Sequence, residues 1–105
     1  MKPEDAARLR RAIALAREAR ARGDEPFGAV LLAADGAPLA EAGNRVRSAR
    51  DPTAHAEMAA IRDAAAAHGN ERLAGAALYS STEPCAMCAA ARSEERRRER
   101  VCVSV

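Results

Sequence analysis

The sequence predicts a three-layer α/β/α sandwich around a mixed β-sheet. Three observations support this fold class. Two long segments carry apolar residues at helical spacing, short apolar runs of strand length lie between and after them, and turn or capping residues separate the segments. The chain of 105 residues has the length of one small domain.

The first predicted element is a helix over residues 4–22, ended by Gly23. Its apolar residues recur at three- and four-residue intervals, which places them on one side of the helix. The predicted stripe consists of Leu9, Ala12, Ile13 and Ala16. This stripe is expected to cover one face of the sheet.

A β-hairpin is predicted next. Residues 27–33 are an apolar run of strand length, and Asp35-Gly36 is a hairpin turn signal. The return strand covers residues 39–42 and could extend through Val46. Residues 48–51 are then expected to form a loop.

The second half of the chain begins with an alanine-rich helix over residues 52–68. Asp51 and Pro52 suit the N-cap and the first helical position, and Gly69-Asn70 ends the helix. Residues 76–81 form a short buried strand. A further helix from Pro84 and a final strand at residues 101–105 complete the predicted order.

Composition limits the function classes. The net charge of +2 is nearly balanced and does not by itself indicate a nucleic-acid partner. Neither a secretion signal nor an apolar run of the roughly 20 residues that a membrane span needs is present in the sequence. Three cysteines, two of them in C-x-x-C, suit a reducing cytoplasm and a metal site better than disulfides.

The most informative pattern is His55-Ala56-Glu57 followed by Pro84-Cys85-Ala86-Met87-Cys88. One imidazole and two thiolates can hold a tetrahedral zinc ion and leave its fourth position to water. Zinc lowers the pKa of that water to roughly 7, and the glutamate can then move its protons. The H-x-E…P-C-x-x-C spacing is typical of zinc-dependent base deaminases. A lone C-x-x-C would also suit a structural zinc half-site or a redox pair.

Residue spacing supports the same roles. Pro84 suits the first position of a helix, and Cys85 and Cys88 are three residues apart, so they share a face in its first turn. Backbone N–H groups and the helix dipole favour thiolates there. His55 and Glu57 can converge on one metal only near the start of their helix.

Several motifs resemble the cytidine/deoxycytidylate deaminase superfamily. The resemblance is closer to its bacterial guanine deaminase and nucleoside deaminase branch, with the tRNA adenosine deaminases next. It runs from about Leu9 to Ala91. The matching stretches are Pro26-Phe27-Gly28-Ala29-Val30, Gly43-Asn44, Asp51-Pro52-Thr53-Ala54-His55-Ala56-Glu57, and Leu78-Tyr79-Ser80-Ser81-Thr82-Glu83-Pro84-Cys85-Ala86-Met87-Cys88.

The resemblance implies a cytidine-deaminase-like fold and a set of site residues. Zinc would be bound by His55, Cys85 and Cys88, with Glu57 as the proton shuttle. Asn44 would hydrogen-bond the base, and the backbone N–H of Ala56 would help to hold it. Phe27 would line the pocket, although it is equally suited to the core, and Asn44 could also be an ordinary turn residue.

The leading functional hypothesis is a zinc-dependent deaminase of a free purine base or nucleoside, and guanine is the favoured substrate. Adenosine deamination in tRNA is the alternative among enzymes. Phe27 and the balanced charge favour the first, because the adenosine branch carries a smaller aliphatic residue at that position. A zinc-binding module without activity is the alternative from another class. Family members usually form homodimers.

The family pattern ends after Ala91. Residues 92–100 read Arg-Ser-Glu-Glu-Arg-Arg-Arg-Glu-Arg, a run that is polar all round and offers no face to bury. One frame of a common sequencing adapter encodes a similar stretch. We therefore expect residues 1–91 to be the N-terminal part of the deaminase domain, truncated after the second zinc-ligand helix. Residues 92–105 would be a non-family and artefactual tail.

Overall fold

A computed structural model describes residues 3–81 and 101–104 of the chain. Their elements follow the predicted order, with one short 3₁₀ helix that was not predicted. They are α1 (Pro3–Ala21), β1 (Gly28–Leu32), β2 (Pro38–Gly43), α2 (Ala56–His68), the 3₁₀ helix (Asn70–Leu73), β3 (Ala77–Ser80) and β4 (Val101–Ser104). The predicted helix that starts at Pro84 lies outside the described residues.

The strands form one mixed sheet in the order β2-β1-β3-β4. Strand β1 pairs antiparallel with both β2 and β3, whereas β4 pairs parallel with β3, with Ala77 opposite Val101. The predicted α/β class with a mixed sheet is therefore confirmed. Strand β4 extends the sheet beyond Ala91, while the predicted domain boundary itself lies outside the described residues and stays a prediction.

Two helices cover opposite faces of this sheet. Side chains alternate along β1, so Val30 and Leu32 pack on one face and Ala29 and Leu31 on the other. The first face is covered by α1 through Leu9, Ala12 and Leu15. The second is covered by α2 through Ala56, Ala60 and Ala64. Because six of the ten buried residues in this second cluster are alanine, the core buries little apolar area for its length.

Helix α1 lies so close to β1 that only glycine fits at the contact. A Cβ atom on Gly28 would collide with the carbonyl oxygen of Ala12 and lie 2.8 Å from the backbone nitrogen of Ala16. The predicted stripe of this helix needs one correction, because Leu15 is buried and Ile13 is only half-buried. The buried side therefore runs through Ala12, Leu15 and Ala19 rather than through Ile13.

The return strand of the hairpin ends at Gly43, so its predicted extension through Val46 is wrong. The backbone N–H of Val46 donates to the side-chain oxygen of Asn44 at 3.0 Å instead of joining the sheet. This local side-chain bond competes with the strand pairing and turns the chain.

The start of α2 is also corrected, from Pro52 to Ala56. The carboxylate of Asp51 accepts hydrogen bonds from the backbone nitrogen of Thr53 at 2.9 Å and from its hydroxyl at 2.6 Å. Asp51 thus closes a turn around Pro52 instead of capping a helix. As a result, His55 becomes the N-cap residue, with an extended backbone at φ −70° and ψ 150°.

Within residues 3–81 and 101–104, the helices fall short of the length and apolar character that crossing a membrane requires.

Candidate active site

The predicted His55-Ala56-Glu57 motif lies at the N-terminus of α2. His55 is half-buried, and its carbonyl oxygen accepts the first helical hydrogen bond from the nitrogen of Ala59 at 2.8 Å. Ala56 and Glu57 follow in the first turn, where backbone N–H groups have no intrahelical acceptor and favour negative charge. The motif therefore combines an imidazole, a carboxylate and backbone donors at one helix end.

Glu57 is a buried carboxylate, with 4% of its surface exposed. The hydroxyl of Ser80, at the end of β3, donates to its Oε2 atom at 3.2 Å. Ser80 is completely buried, so this bond is sheltered from competing water. The bond fixes one carboxylate oxygen of Glu57 at the end of β3.

Sequence reasoning missed Ser80 as a site residue. A signal was present, because a small hydroxyl side chain ends the buried strand that leads towards the cysteine motif. However, its partner lies 23 positions earlier in the chain, and spacing alone does not pair the two.

Asn44 is held from three directions at the end of β2. Its backbone nitrogen donates to the carbonyl of Phe27 at 2.9 Å, and its own carbonyl accepts from Nη2 of Arg22 at 2.9 Å. Its side-chain oxygen accepts from the nitrogen of Val46 at 3.0 Å. This last bond sets the orientation of the amide, so its Nδ2 atom is the side-chain donor. Only 2% of Asn44 is exposed.

Backbone hydrogen bonds join the predicted substrate residues to the helix motif. The nitrogen of Arg45, next to Asn44, donates to the carbonyl of Ala54, next to His55, at 2.9 Å. Phe27 is half-buried and packs against the same core cluster that contains Ala56. The structure therefore brings Phe27, Asn44 and the His55–Glu57 motif into one region.

A second buried carboxylate, Asp24, organises the loop beside Asn44. It accepts hydrogen bonds from the nitrogen and hydroxyl of Ser48 at 2.8 and 2.7 Å, from the nitrogen of Arg47 at 3.1 Å, and from Nε of Arg22 at 3.2 Å. Burial raises the pKa of Asp24, but the bonds from Ser48 and the Arg22 guanidinium outweigh this, so its pKa lies below the ordinary value of 3.8. Sequence reasoning missed this residue.

A lowered pKa of Asp24 predicts the direction of a pH dependence. The folded state binds the proton less tightly than the unfolded state, so the carboxylate stabilises the fold above pH 3.8, and this contribution is lost as pH falls through the lower folded value. We expect urea unfolding midpoints to fall on acidification below about pH 5. The fall should be shallower in Asp24→Asn, which should also be less stable at pH 7. An unchanged acid profile in this variant would contradict the prediction.

The other predicted zinc ligands, Cys85 and Cys88, lie outside the described residues. Residues 3–81 and 101–104 contain no cluster of three or more His, Cys, Asp or Glu side chains that could hold a metal. His55 nevertheless fits the predicted donor set. Its imidazole, at the N-terminus of α2, and two thiolates would fill three of the four positions of a tetrahedral zinc ion and leave one open. The backbone donors of the same helix end would also favour the negative charge of such a set.

The sequence matches the family model described as "Cytidine and deoxycytidylate deaminase zinc-binding region" over residues 2–104. The chain belongs to this family. The predicted family resemblance is therefore confirmed. Zinc binding is a property of the family at this level, while the roles of the individual residues in this chain stay predictions.

The similar proteins include a tRNA-specific adenosine deaminase and a guanine deaminase. The tRNA-specific adenosine deaminase of Agrobacterium fabrum is 55% identical over 80 residues, covering 76% of this chain and 52% of that protein. The guanine deaminase of Bacillus subtilis is 49% identical over 81 residues, covering 76% and 51%. The chain thus spans about half the length of the curated relatives it matches.

Solved structures agree with the fold. A structure from work on A-to-I editing by tRNA:A34 deaminases superposes with a TM-score of 0.87 at 48% identity, over 96% of this chain and 75% of that one. The structure of the Bacillus subtilis guanine deaminase gives a TM-score of 0.86 at 42% identity, over 100% and 64%. Both matches support the deaminase fold, and they do not separate the two substrates.

Proposed function

We propose that this chain carries the catalytic residues of a zinc-dependent hydrolase that deaminates a nucleobase or nucleoside. The observation that carries the proposal is the buried carboxylate of Glu57. This residue lies two positions after His55, at the N-terminus of α2, and its carboxylate is held by the hydroxyl of Ser80. A buried carboxylate beside a metal-binding imidazole is suited to general acid–base catalysis.

Zinc bound by His55, Cys85 and Cys88 would supply a water molecule with a pKa of roughly 7. Glu57 takes a proton from the attacking water and passes it to the ring nitrogen of the base. It then takes the remaining proton of that water from the new hydroxyl on the ring carbon and gives it to the amino group, so the carbon–nitrogen bond breaks, ammonia leaves and a carbonyl group remains. The bond from Ser80 keeps the carboxylate in place for both transfers.

Substrate binding is assigned to Asn44, Ala56 and Phe27. Because the side-chain oxygen of Asn44 accepts from Val46, its Nδ2 atom donates to an acceptor on the base. The backbone N–H of Ala56, at the first position of α2, supplies a second donor. The ring of Phe27 offers an apolar wall for the flat face of a purine.

Guanine is the leading substrate within this proposal. The Pro26-Phe27-Gly28 segment supports it, together with the similarity to the guanine deaminase of Bacillus subtilis. The near-neutral charge of the chain also suits a small ligand. Adenosine in tRNA is the second candidate, because the tRNA-specific adenosine deaminase of Agrobacterium fabrum is 55% identical over 80 residues.

Ammonia release from the purified protein tests both candidates in parallel. We expect a higher kcat/KM with free guanine than with an anticodon stem-loop that carries adenosine at the wobble position. Turnover of the stem-loop alone would instead support the second candidate. Bound zinc with no ammonia from any base, nucleoside or stem-loop would overturn the enzymatic proposal in favour of a non-catalytic zinc module.

A further inference from the structure

We propose that Arg22 and Asp24 together position the substrate-binding amide of Asn44. This inference rests on the proposed function, since it assigns the two residues a role in base binding. Neither residue belongs to the motifs that indicate the zinc chemistry. Arg22 and Asp24 are positioning residues, because they act on the base through Asn44 rather than by direct contact.

The Arg22 guanidinium bridges two parts of the site. Its Nε atom donates to the Asp24 carboxylate at 3.2 Å, and its Nη2 atom donates to the backbone carbonyl of Asn44 at 2.9 Å. Because the guanidinium is planar and rigid, fixing one edge on Asp24 also fixes the direction of the other. The bridge therefore connects a buried anion directly to the residue proposed to bind the base.

Asp24, one acceptor of this bridge, is itself held firmly. Asp24 has a fully buried side chain and accepts hydrogen bonds from Ser48 and Arg47, so it provides a fixed anchor. The Arg22 side chain is 28% exposed, so water only partly screens the ion pair. The anchor and the bridge leave little freedom for the backbone carbonyl of Asn44.

The backbone beside Asn44 leaves room for the guanidinium. A Cβ atom on Gly43 would lie 3.3 Å from Nη2 of Arg22 and 3.1 Å from the carbonyl of Leu15. A larger residue at Gly43 would therefore press on the bridge. The end of β2, the end of α1 and the substrate amide thus form one packed unit.

The test uses Arg22→Met, Arg22→Lys and a control, Arg20→Met, which changes an exposed arginine in the last turn of α1. Each purified protein is measured for zinc content, thermal midpoint, kcat and KM with guanine, and the Kd of xanthine, the product, by calorimetry. We expect Arg22→Met to raise KM and the xanthine Kd by about tenfold, as expected for a lost hydrogen bond to a charged group. The kcat and zinc content should stay close to those of the control.

Arg22→Lys separates geometry from charge. A lysine keeps the charge but cannot donate along two fixed directions, so we expect it to restore stability without restoring KM or the xanthine Kd. If Arg22→Met fails to fold, Arg22→Lys by itself tests the positioning role of Arg22.

Two results would overturn the inference: base binding in folded Arg22 variants equal to that of the control, or a loss confined to kcat. Failure of the proposed function is seen separately, as a wild-type protein that contains zinc and binds xanthine but releases no ammonia.

Discussion

Glu57→Gln is expected to lower deamination by between about a hundredfold and ten-thousandfold while zinc remains bound. The variant removes the carboxylate that moves protons but keeps the shape of the side chain. The amide oxygen can still accept a hydrogen bond from the hydroxyl of Ser80, so the buried contact at 3.2 Å is kept. The loss should therefore appear in kcat, with little change in the thermal midpoint. Ammonia release and metal analysis on the same sample measure both quantities.

Glu18→Gln is the matched control for this prediction. Glu18 lies on α1 with 57% of its side chain exposed, so the same change of charge there should leave kcat unaltered. A Glu57→Gln protein with near wild-type turnover would refute the proton-shuttle role of Glu57. Loss of zinc from that protein would show that the carboxylate supports the metal rather than the proton transfer.

Cys85→Ala is expected to remove zinc, abolish deamination and destabilise the fold. A ligand that binds only the folded state stabilises it by roughly 3 kcal/mol at a free concentration of 100 times its Kd. For a domain of this size the loss corresponds to a fall in thermal midpoint of about 10 to 20 °C. The effect should be large here, because alanine dominates the core beneath α2 and buries little apolar surface.

Cys102→Ala provides the comparison for this cysteine. Cys102 lies in β4 and is not part of the predicted metal set, so its removal should leave the zinc content at the wild-type level. Metal analysis and thermal unfolding, with and without a chelator, measure the effect in each variant. Full zinc content and activity in Cys85→Ala would contradict the assigned ligand set.

Local patterns predicted most of the fold. The strand at β1, the turn at Asp35-Gly36 and the end of α2 at Gly69 were predictable because glycine conformation and short apolar runs act over a few residues. His55 and Glu57 could be proposed as site residues because the predicted chemistry depends on their spacing within one helix turn. The start of α2 was not predictable, since an aspartate before proline can cap a helix or close a turn.

Contacts between distant segments could not be predicted in the same way. Ser80 meets Glu57 across 23 positions, and Arg22 reaches Asn44 across 22. The residue types involved are common on protein surfaces, so no local pattern distinguishes them from solvated side chains. Only the packing of α1, α2 and the sheet makes these pairs neighbours.

The sequence by itself determined the family and the fold class, and it predicted the chemistry that His55, Glu57, Cys85 and Cys88 are suited to perform. These follow from residue types at short, fixed spacings, which constrain local geometry however the rest of the chain packs. The tertiary structure alone decided which oxygen of Glu57 is held and how the amide of Asn44 is oriented. It also decided that Asp24 is buried and accepts hydrogen bonds from the loop at Arg47 and Ser48. Such hydrogen bonds depend on distances of a few ångströms between segments far apart in the chain, and these distances exist only after the layers have packed.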